Sequence, residues 1–512
     1  MDNSPNSDSL TTELDLTQDY AVEKAHLQKH FGRKEVLFFT ICCLVGVDTI
    51  GQIASVGAEA FTWLIILAAV FFIPSGLVFA ELGTAFPEEG GPYLWARLAF
   101  GRLAASINNF LYWITNPVWF GGTLTIAAIA AVETFFMDGN SMSTLAFYAF
   151  GLAFIWIGTF AAILSFKVGK WIPILGAFAR FIVLGLFTVA LVLYAIKNGM
   201  HGVHAGDFGV SKSGLVGTLA LILFNFVGFE NPSSAGDEMK DAQKDIPYSV
   251  ARSSVAAILL YGVPILGVLL VLPTEQVSGL TGFVDSIKAA FTVFGGSVTA
   301  DGTATLTGMG ALLGGFAAIL FVLCVLSSGV AWTMGSDRAL AVGGYDGSAP
   351  RWLGVFSEKY GTPVRVNYIS GIVATVILIL AHTISDGNTA KYFSVVLGIA
   401  ISTTLMSYLA IFPSLWKLRV SHPDVPRPYR APAARFLSTW LTLLIAFATI
   451  QLMAPGLGDG WFAGDYTPDG WTEDERWKFL GTELIPVAIF VFLGVLFWIM
   501  GKPTRERSGV ED

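Results

Sequence analysis

The chain has 512 residues, of which 54% are hydrophobic and only 13% charged, with a formal net charge of −8. So apolar a composition excludes an ordinary soluble globular protein, and the sparse, unclustered basic residues exclude a nucleic-acid partner. Cys42, Cys43 and Cys324 all fall in apolar runs, which excludes a framework of extracellular disulfides.

Residues 1–34 are polar and lack the basic-then-apolar order of a signal peptide, so they read as a disordered cytoplasmic tail. Twelve apolar stretches follow, each near the roughly 20 residues that cross a hydrocarbon core as a helix. The predicted spans, numbered 1 to 12, are 35–58, 61–83, 103–136, 144–166, 172–195, 215–236, 254–272, 308–336, 367–384, 392–416, 436–454 and 483–500. Spans 1 to 10 (35–416) form one core, 417–500 adds two helices, and 501–512 is a second cytoplasmic tail. The expected fold class is an all-α membrane protein.

Most of the 30 Lys and Arg residues fall in joints that this count puts on one face, among them Lys34, Arg97, Lys170, Lys240, Arg338, Arg365 and Arg430. By the positive-inside rule that face and both termini are cytoplasmic, in a plasma or inner membrane. Acidic residues, crowded in the late outer loop 459–475, contribute little to orientation.

Two spans are interrupted. In span 1 the run Gly46-Val47-Asp48-Thr49-Ile50-Gly51-Gln52 puts an acid, a hydroxyl and two glycines about 20 Å into the membrane, at about 1.5 Å per residue. In span 6, Asn225-Phe226-Val227-Gly228-Phe229-Glu230-Asn231-Pro232 does the same. Broken segments at corresponding positions of two five-helix halves point to a solute site at the midplane, with the halves related by an inverted repeat. No phosphate loop of the G-x-x-x-x-G-K-[ST] type and no soluble segment large enough for a catalytic domain is present, so an ATP-driven pump is excluded. No cofactor, metal cluster, or nucleophile with its base is expected.

The joints carry further signals. Ala80-Glu81-Leu82-Gly83-Thr84-Ala85-Phe86-Pro87-Glu88-Glu89-Gly90-Gly91-Pro92-Tyr93 follows span 2, and Asp237-Glu238 with Lys244-Asp245-Ile246-Pro247 follows span 6. Ser336-Asp337-Arg338, Asp346-Gly347 and Gly361-Thr362-Pro363-Val364 precede span 9, and Arg427-Pro428-Tyr429-Arg430-Ala431-Pro432 follows span 10. Over about residues 35–435 these signatures, in this order, resemble the amino acid, polyamine and organocation permease superfamily. The resemblance implies a twelve-helix fold with a five-plus-five inverted repeat, working by alternating access as a proton-coupled symporter or exchanger for amino acids. Amino-acid members often carry a Gly-Ser-Gly-like break that receives the substrate carboxylate on backbone N–H groups. Here the break reads Asp48-Thr49-Ile50-Gly51-Gln52, similar to plant polyamine-type permeases, so a polyamine or amine solute is the alternative. Amino acids are placed first because Gly51 and the half-helix N-terminus offer donors. A solute sensor of the same fold is a further alternative, disfavoured by the absence of a signalling domain.

The candidate substrate-binding residues are Asp48, Thr49, Gly51, Asn116, Phe224, Gly228, Glu230 and Trp332. Glu230 and Asp48 are intramembrane ionisable groups, functional by default because an unpaired charge there costs several kcal/mol. Phe224 and Trp332 match positions of gating or wall aromatics in arginine-agmatine exchangers, and aromatic faces attract cations. Tyr112 and Trp119 are further wall candidates beside Asn116. Arg180, the one basic residue inside a predicted span, lies near where proton-coupled members place a lysine and sodium-coupled ones a cation, so it is a cation mimic, with Glu230 as coupling partner. The bland reading of Arg180 is an ion pair with Asp48 or Glu230. Glu81, Glu88, Glu89, Glu238, Arg338, Asp346 and Arg430 read as inner gate and scaffold. Partners are then a small amino acid or amine and membrane lipid, with homo-oligomers compatible. A disulfide-linked heavy chain is not expected, because the loop 137–143 holds no cysteine.

Overall fold

The structure is a computed structural model and describes residues 27, 29–137, 141–164, 169–199, 204–271, 277–299, 303–384, 389–453 and 475–509. Most of the expected amino-terminal tail, all of the acidic loop 459–475 except Glu475, and part of the loop 137–143 lie outside these residues.

Among the described residues, eleven helices are long and apolar enough to cross a membrane. They are Arg33–Ser55 (span 1), Ala58–Ala85 (2), Gly91–Phe136 (3), Thr144–Ile163 (4), Trp171–Asn198 (5), Ala242–Val271 (7), Gly308–Tyr345 (8), Val364–Thr383 (9), Tyr392–Ser421 (10), Ala434–Met453 (11) and Leu480–Ser508 (12). Span 6 is missing from this set because it is discontinuous: the helix Lys212–Asn225 stops, and a 3-10 segment Asn231–Glu238 resumes after an irregular stretch. The protein is thus an all-α membrane protein, apart from a small hairpin in which Gly296–Val298 pairs with Ala304–Leu306. A short helix, Gly282–Phe291, lies between spans 7 and 8 and was not expected.

Several helices outrun their apolar stretches, because hydropathy marks the lipid-facing length and not the hydrogen-bonded length. Span 12 runs on to Ser508 through what reads as a tail, and there Arg505 Nη1 donates to Gly347 O at 2.5 Å.

Two local irregularities matter for the site. Span 3 carries Pro117, which has no N–H to give, and then a π-helical turn at Phe120–Leu124. Such a bulge re-aims the side chains around it and is common at functional sites. Span 2 has a similar turn at Ala68–Phe72, where the Phe72 ring stacks on Phe226 and Phe229 of the span 6 break, at 4.6 and 4.8 Å.

Candidate solute-binding site

A helix that stops inside a membrane leaves its last carbonyls without partners, and water cannot supply them. In span 1 the first half-helix, Arg33–Leu44, ends at Val45 and Gly46, and a 3-10 turn, Val47–Thr49, precedes the second, Ile50–Ser55. The four terminal carbonyls are all taken by side chains from other spans. Ser328 Oγ donates to Cys42 O at 3.0 Å and Trp332 Nε1 to Cys43 O at 3.0 Å. The Tyr261 hydroxyl lies 2.8 Å from Leu44 O, and Arg180 Nε donates to Val45 O at 2.8 Å. Gly46 N donates to the Tyr261 hydroxyl at 2.7 Å. The break is therefore built by spans 5, 7 and 8 as much as by its own sequence.

Span 6 is matched to it. Asn225 ends the helix with Nδ2 on Leu221 O at 2.9 Å, and its Oδ1 faces Thr49 Oγ1 at 2.5 Å and Tyr261 at 2.9 Å. Gly228 has φ 131°, and a Cβ there would stand 3.1 Å from Cys43 O and 3.2 Å from the Trp332 ring, so no other residue fits without strain. Its N–H donates to Glu230 Oε2 at 3.1 Å, and the Tyr112 hydroxyl donates to Glu230 Oε1 at 3.1 Å. Glu230 is fully buried.

Between the two breaks lies a small cavity. Span 1 supplies Cys43, Leu44 and Gly46, span 3 Thr115, Asn116 and Trp119, and span 6 Phe224 and Asn225; Tyr261, Trp332 and Thr404 come from spans 7, 8 and 10. Part of its wall is aromatic: the Phe224 ring meets Trp119 edge-on at 5.8 Å, and Trp332 meets Tyr112, behind the wall, at 6.0 Å. Of the expected residues, Asn116, Trp119, Phe224 and Trp332 line this space. Asp48, Thr49, Gly228 and Glu230 stand in the layer behind it. Gly51 is elsewhere: a Cβ there would meet Gly279 O at 2.9 Å, Ser278 O and Phe283 N, so the glycine lets span 1 approach the segment leading into the helix Gly282–Phe291. Reasoning from sequence missed Tyr261, Asn225 and Thr404. The signal for Asn225 was present, as an amide beside the break already in view; Tyr261 and Thr404 carry none, since single polar side chains in apolar helices are common.

Polar satisfaction around the cavity is uneven. Asn116 Nδ2 donates to Tyr112 O at 3.2 Å, which fixes the amide orientation and leaves Oδ1 buried without a partner. Asp48 accepts from Trp119 Nε1 on Oδ2 at 3.0 Å, while Oδ1 is likewise unpartnered. These two free side-chain atoms are acceptors, and the Gly46 and Gly228 N–H groups are already used.

Arg180 is fully buried and makes no ion pair with Asp48 or Glu230. Besides Val45 O, its guanidinium donates to Gly176 O (2.9 Å), Cys324 O (2.8 Å), Ser327 Oγ (2.8 Å) and Ser328 Oγ. It fills a cage of oxygens between spans 1, 5 and 8.

The face expected to be cytoplasmic is closed by charge. Arg338 lies 3.3 Å from Glu89 and 2.7 Å from Glu238; Arg97 and Arg102 reach Asp346 at 3.2 and 3.5 Å; Glu81 holds Arg419 at 2.5 Å and Arg427 at 3.3 Å. Burial, and then the charge of Glu238, push the Glu89 carboxyl well above the usual carboxylate range, and burial raises Glu238 too, with Arg338 opposing both shifts. Among the described residues no group of three or more His, Cys, Asp or Glu side chains could hold a metal.

Residues 31–463 match the family model described as amino acid permease. The chain is 26% identical over 430 residues to a probable agmatine/putrescine antiporter of Lactococcus lactis, covering 83% of this chain and 88% of that one. It is 24% identical over 372 residues to a cadaverine/lysine antiporter of Escherichia coli (70% and 76% covered), and 22% identical over 463 residues to a branched-chain amino acid permease of Bacillus subtilis (86% and 91%).

Proposed function

Because the chain belongs to the amino acid permease family and is a multi-pass secondary transporter of amino acids or amines, not an enzyme, we propose that its solute is a small cationic amine held by its ammonium in the cavity between the two breaks. The observation that carries this is the unpartnered Oδ1 of Asn116, a lining residue of the cavity that Trp119, Phe224 and Trp332 also line. An ammonium donates hydrogen bonds and is drawn to aromatic faces, worth about 2 kcal/mol or more when desolvated. Asp48 and Glu230 behind the wall add negative potential, and Arg180, turned toward backbone carbonyls, offsets only one of them. A carboxylate finds the Gly46 and Gly228 N–H groups occupied. This reverses the order expected from sequence, where Gly51 was to serve the carboxylate.

Transport is by alternating access, with the broken spans 1 and 6 moving against spans 3, 8 and 10. The Glu89–Arg338–Glu238 cluster is the inner gate, and Arg180 is a fixed cation in place of sodium. Both termini face the cytoplasm, the membrane is the plasma or inner membrane, lipid surrounds the helices, and the two halves of the core are inverted repeats. The test is counterflow in proteoliposomes loaded with putrescine, agmatine, lysine or leucine. Labelled putrescine or agmatine should exchange. Exchange of leucine alone would assign the site to neutral amino acids.

A further inference from the structure

Glu483, on span 12, belongs to no part of the site above. Its residue is fully buried, Ser402 Oγ of span 10 donates to Oε2 at 3.0 Å, and Oε1 has no partner. Room for it is made by Gly398, where a Cβ would stand 2.2 Å from Oε1. A carboxyl with one hydroxyl donor and no cation is costly as an anion in such a place, and much less so as a neutral acid.

Among the described residues no neighbouring charge compensates it. On span 10, the Tyr392 hydroxyl donates to Gly121 O and Tyr408 faces Glu230. On span 11, Arg435 in the first turn is the only ionisable side chain. On span 3, Arg97 and Arg102 are committed to Asp346 and Tyr112 to Glu230. On span 12 itself, Lys478 pairs with Glu475 and Lys502 with Glu506. One carboxyl and one hydroxyl are too few oxygens for a metal cation, so the ligand that fits is a proton.

Its position connects it to the cavity. Ser402 is followed by Thr403, whose hydroxyl lies 2.7 Å from Thr115 Oγ1 of span 3, and then by Thr404, which lines the cavity with Thr115. One turn of span 10 therefore touches Glu483 on one side and the solute site on the other. We infer that Glu483 is a proton-binding site, outside the ten-span core, that couples solute movement to proton movement through residues 402–404. A proton from water adds to Oε1, converting carboxylate to carboxylic acid, and leaves by the same route when span 10 moves. This rests on the transport reading above.

The experiment compares wild type, Glu483→Gln and Ser402→Ala in proteoliposomes, in two assays with labelled putrescine. One assay is counterflow without a gradient, and the other is accumulation driven by a pH gradient. Infrared difference spectra against pH of each purified protein then follow the C=O stretch of protonated carboxyls. Glu483→Gln should keep counterflow, lose gradient-driven accumulation by about tenfold or more, and lack one protonated-carboxyl band. In Ser402→Ala that band should persist to higher pH, since the donor that favours the anion is gone. Wild-type accumulation in Glu483→Gln, or a band unchanged in both variants, would overturn the inference. Failure of wild type to exchange any amine would instead overturn the transport reading, while the infrared band still reports on Glu483.

Discussion

Arg180→Ala tests whether a guanidinium occupies a cation site. Its removal leaves Val45 O, at the end of a broken helix, without a donor, and a buried carbonyl so orphaned costs about 1–3 kcal/mol. Loss of the charged bonds to Cys324 O, Ser327 Oγ and Ser328 Oγ brings the total to about 2–5 kcal/mol, because those oxygens have other partners and are only partly orphaned. The space left is ringed by three carbonyl and two hydroxyl oxygens, hard donors suited to a sodium ion. Sodium at a hundredfold excess over its dissociation constant would restore about 2.7 kcal/mol. The assay is thermal unfolding of the purified protein in sodium chloride against choline chloride at equal ionic strength. The variant should melt lower than wild type in choline and recover in sodium, while wild type should melt alike in both and transport without sodium. A variant as stable as wild type in choline, or with no sodium response, refutes the cation-mimic reading.

Glu230→Gln keeps the volume but removes the charge accepting from Gly228 N and Tyr112, so transport should fall sharply with membrane insertion intact; wild-type flux at every pH would remove Glu230 from the mechanism. Trp332→Ala opens the cavity wall and strips the donor from Cys43 O, and should weaken putrescine binding by about tenfold or more, or about 1.4 kcal/mol, measured by scintillation proximity. Unchanged affinity would place the solute elsewhere. In the Glu89–Arg338–Glu238 cluster, the folded-state carboxyl of Glu89 is raised above its unfolded value, so the stability linked to its protonation is present at low pH and lost as pH rises through the folded value. Glu89→Gln should therefore melt increasingly higher than wild type as pH rises above the ordinary carboxylate range, and converge with it in acid. A difference that does not change with pH would contradict the sign of that shift.

The spans and their two breaks were legible because lipid imposes a length on apolar runs, and because glycine, asparagine and proline grouped in the middle of such a run interrupt the backbone ladder that lipid otherwise enforces. Asp48, Glu230 and Arg180 stood out for a related reason, as charges where charge is costly. What the sequence did not carry is the register between helices. Tyr261 serves both sides of the span 1 break, yet in the apolar run of span 7 it reads as one more packing aromatic. Gly51 looked like a backbone donor site and proves to be a contact point with the 278–283 segment, since a glycine marks close approach without saying of what. For Arg180 the alternative to a cation mimic was an ion pair with a carboxylate, and it meets instead Val45 O, which the break sets free, with other carbonyl and hydroxyl oxygens. Glu483 sits in the apolar run of span 12, and only its packing against Gly398 and Ser402 sets it apart.

The central claim, that the cavity takes an ammonium on Asn116 Oδ1 among aromatic faces, is tested most directly by equilibrium binding of putrescine and leucine to purified wild type and Asn116→Leu. The account predicts that wild type binds putrescine and not leucine, and that Asn116→Leu, which replaces the free acceptor by a methyl-bearing side chain of similar size, weakens putrescine by about tenfold or more. Leucine binding in wild type, or putrescine binding unchanged by Asn116→Leu, would contradict it.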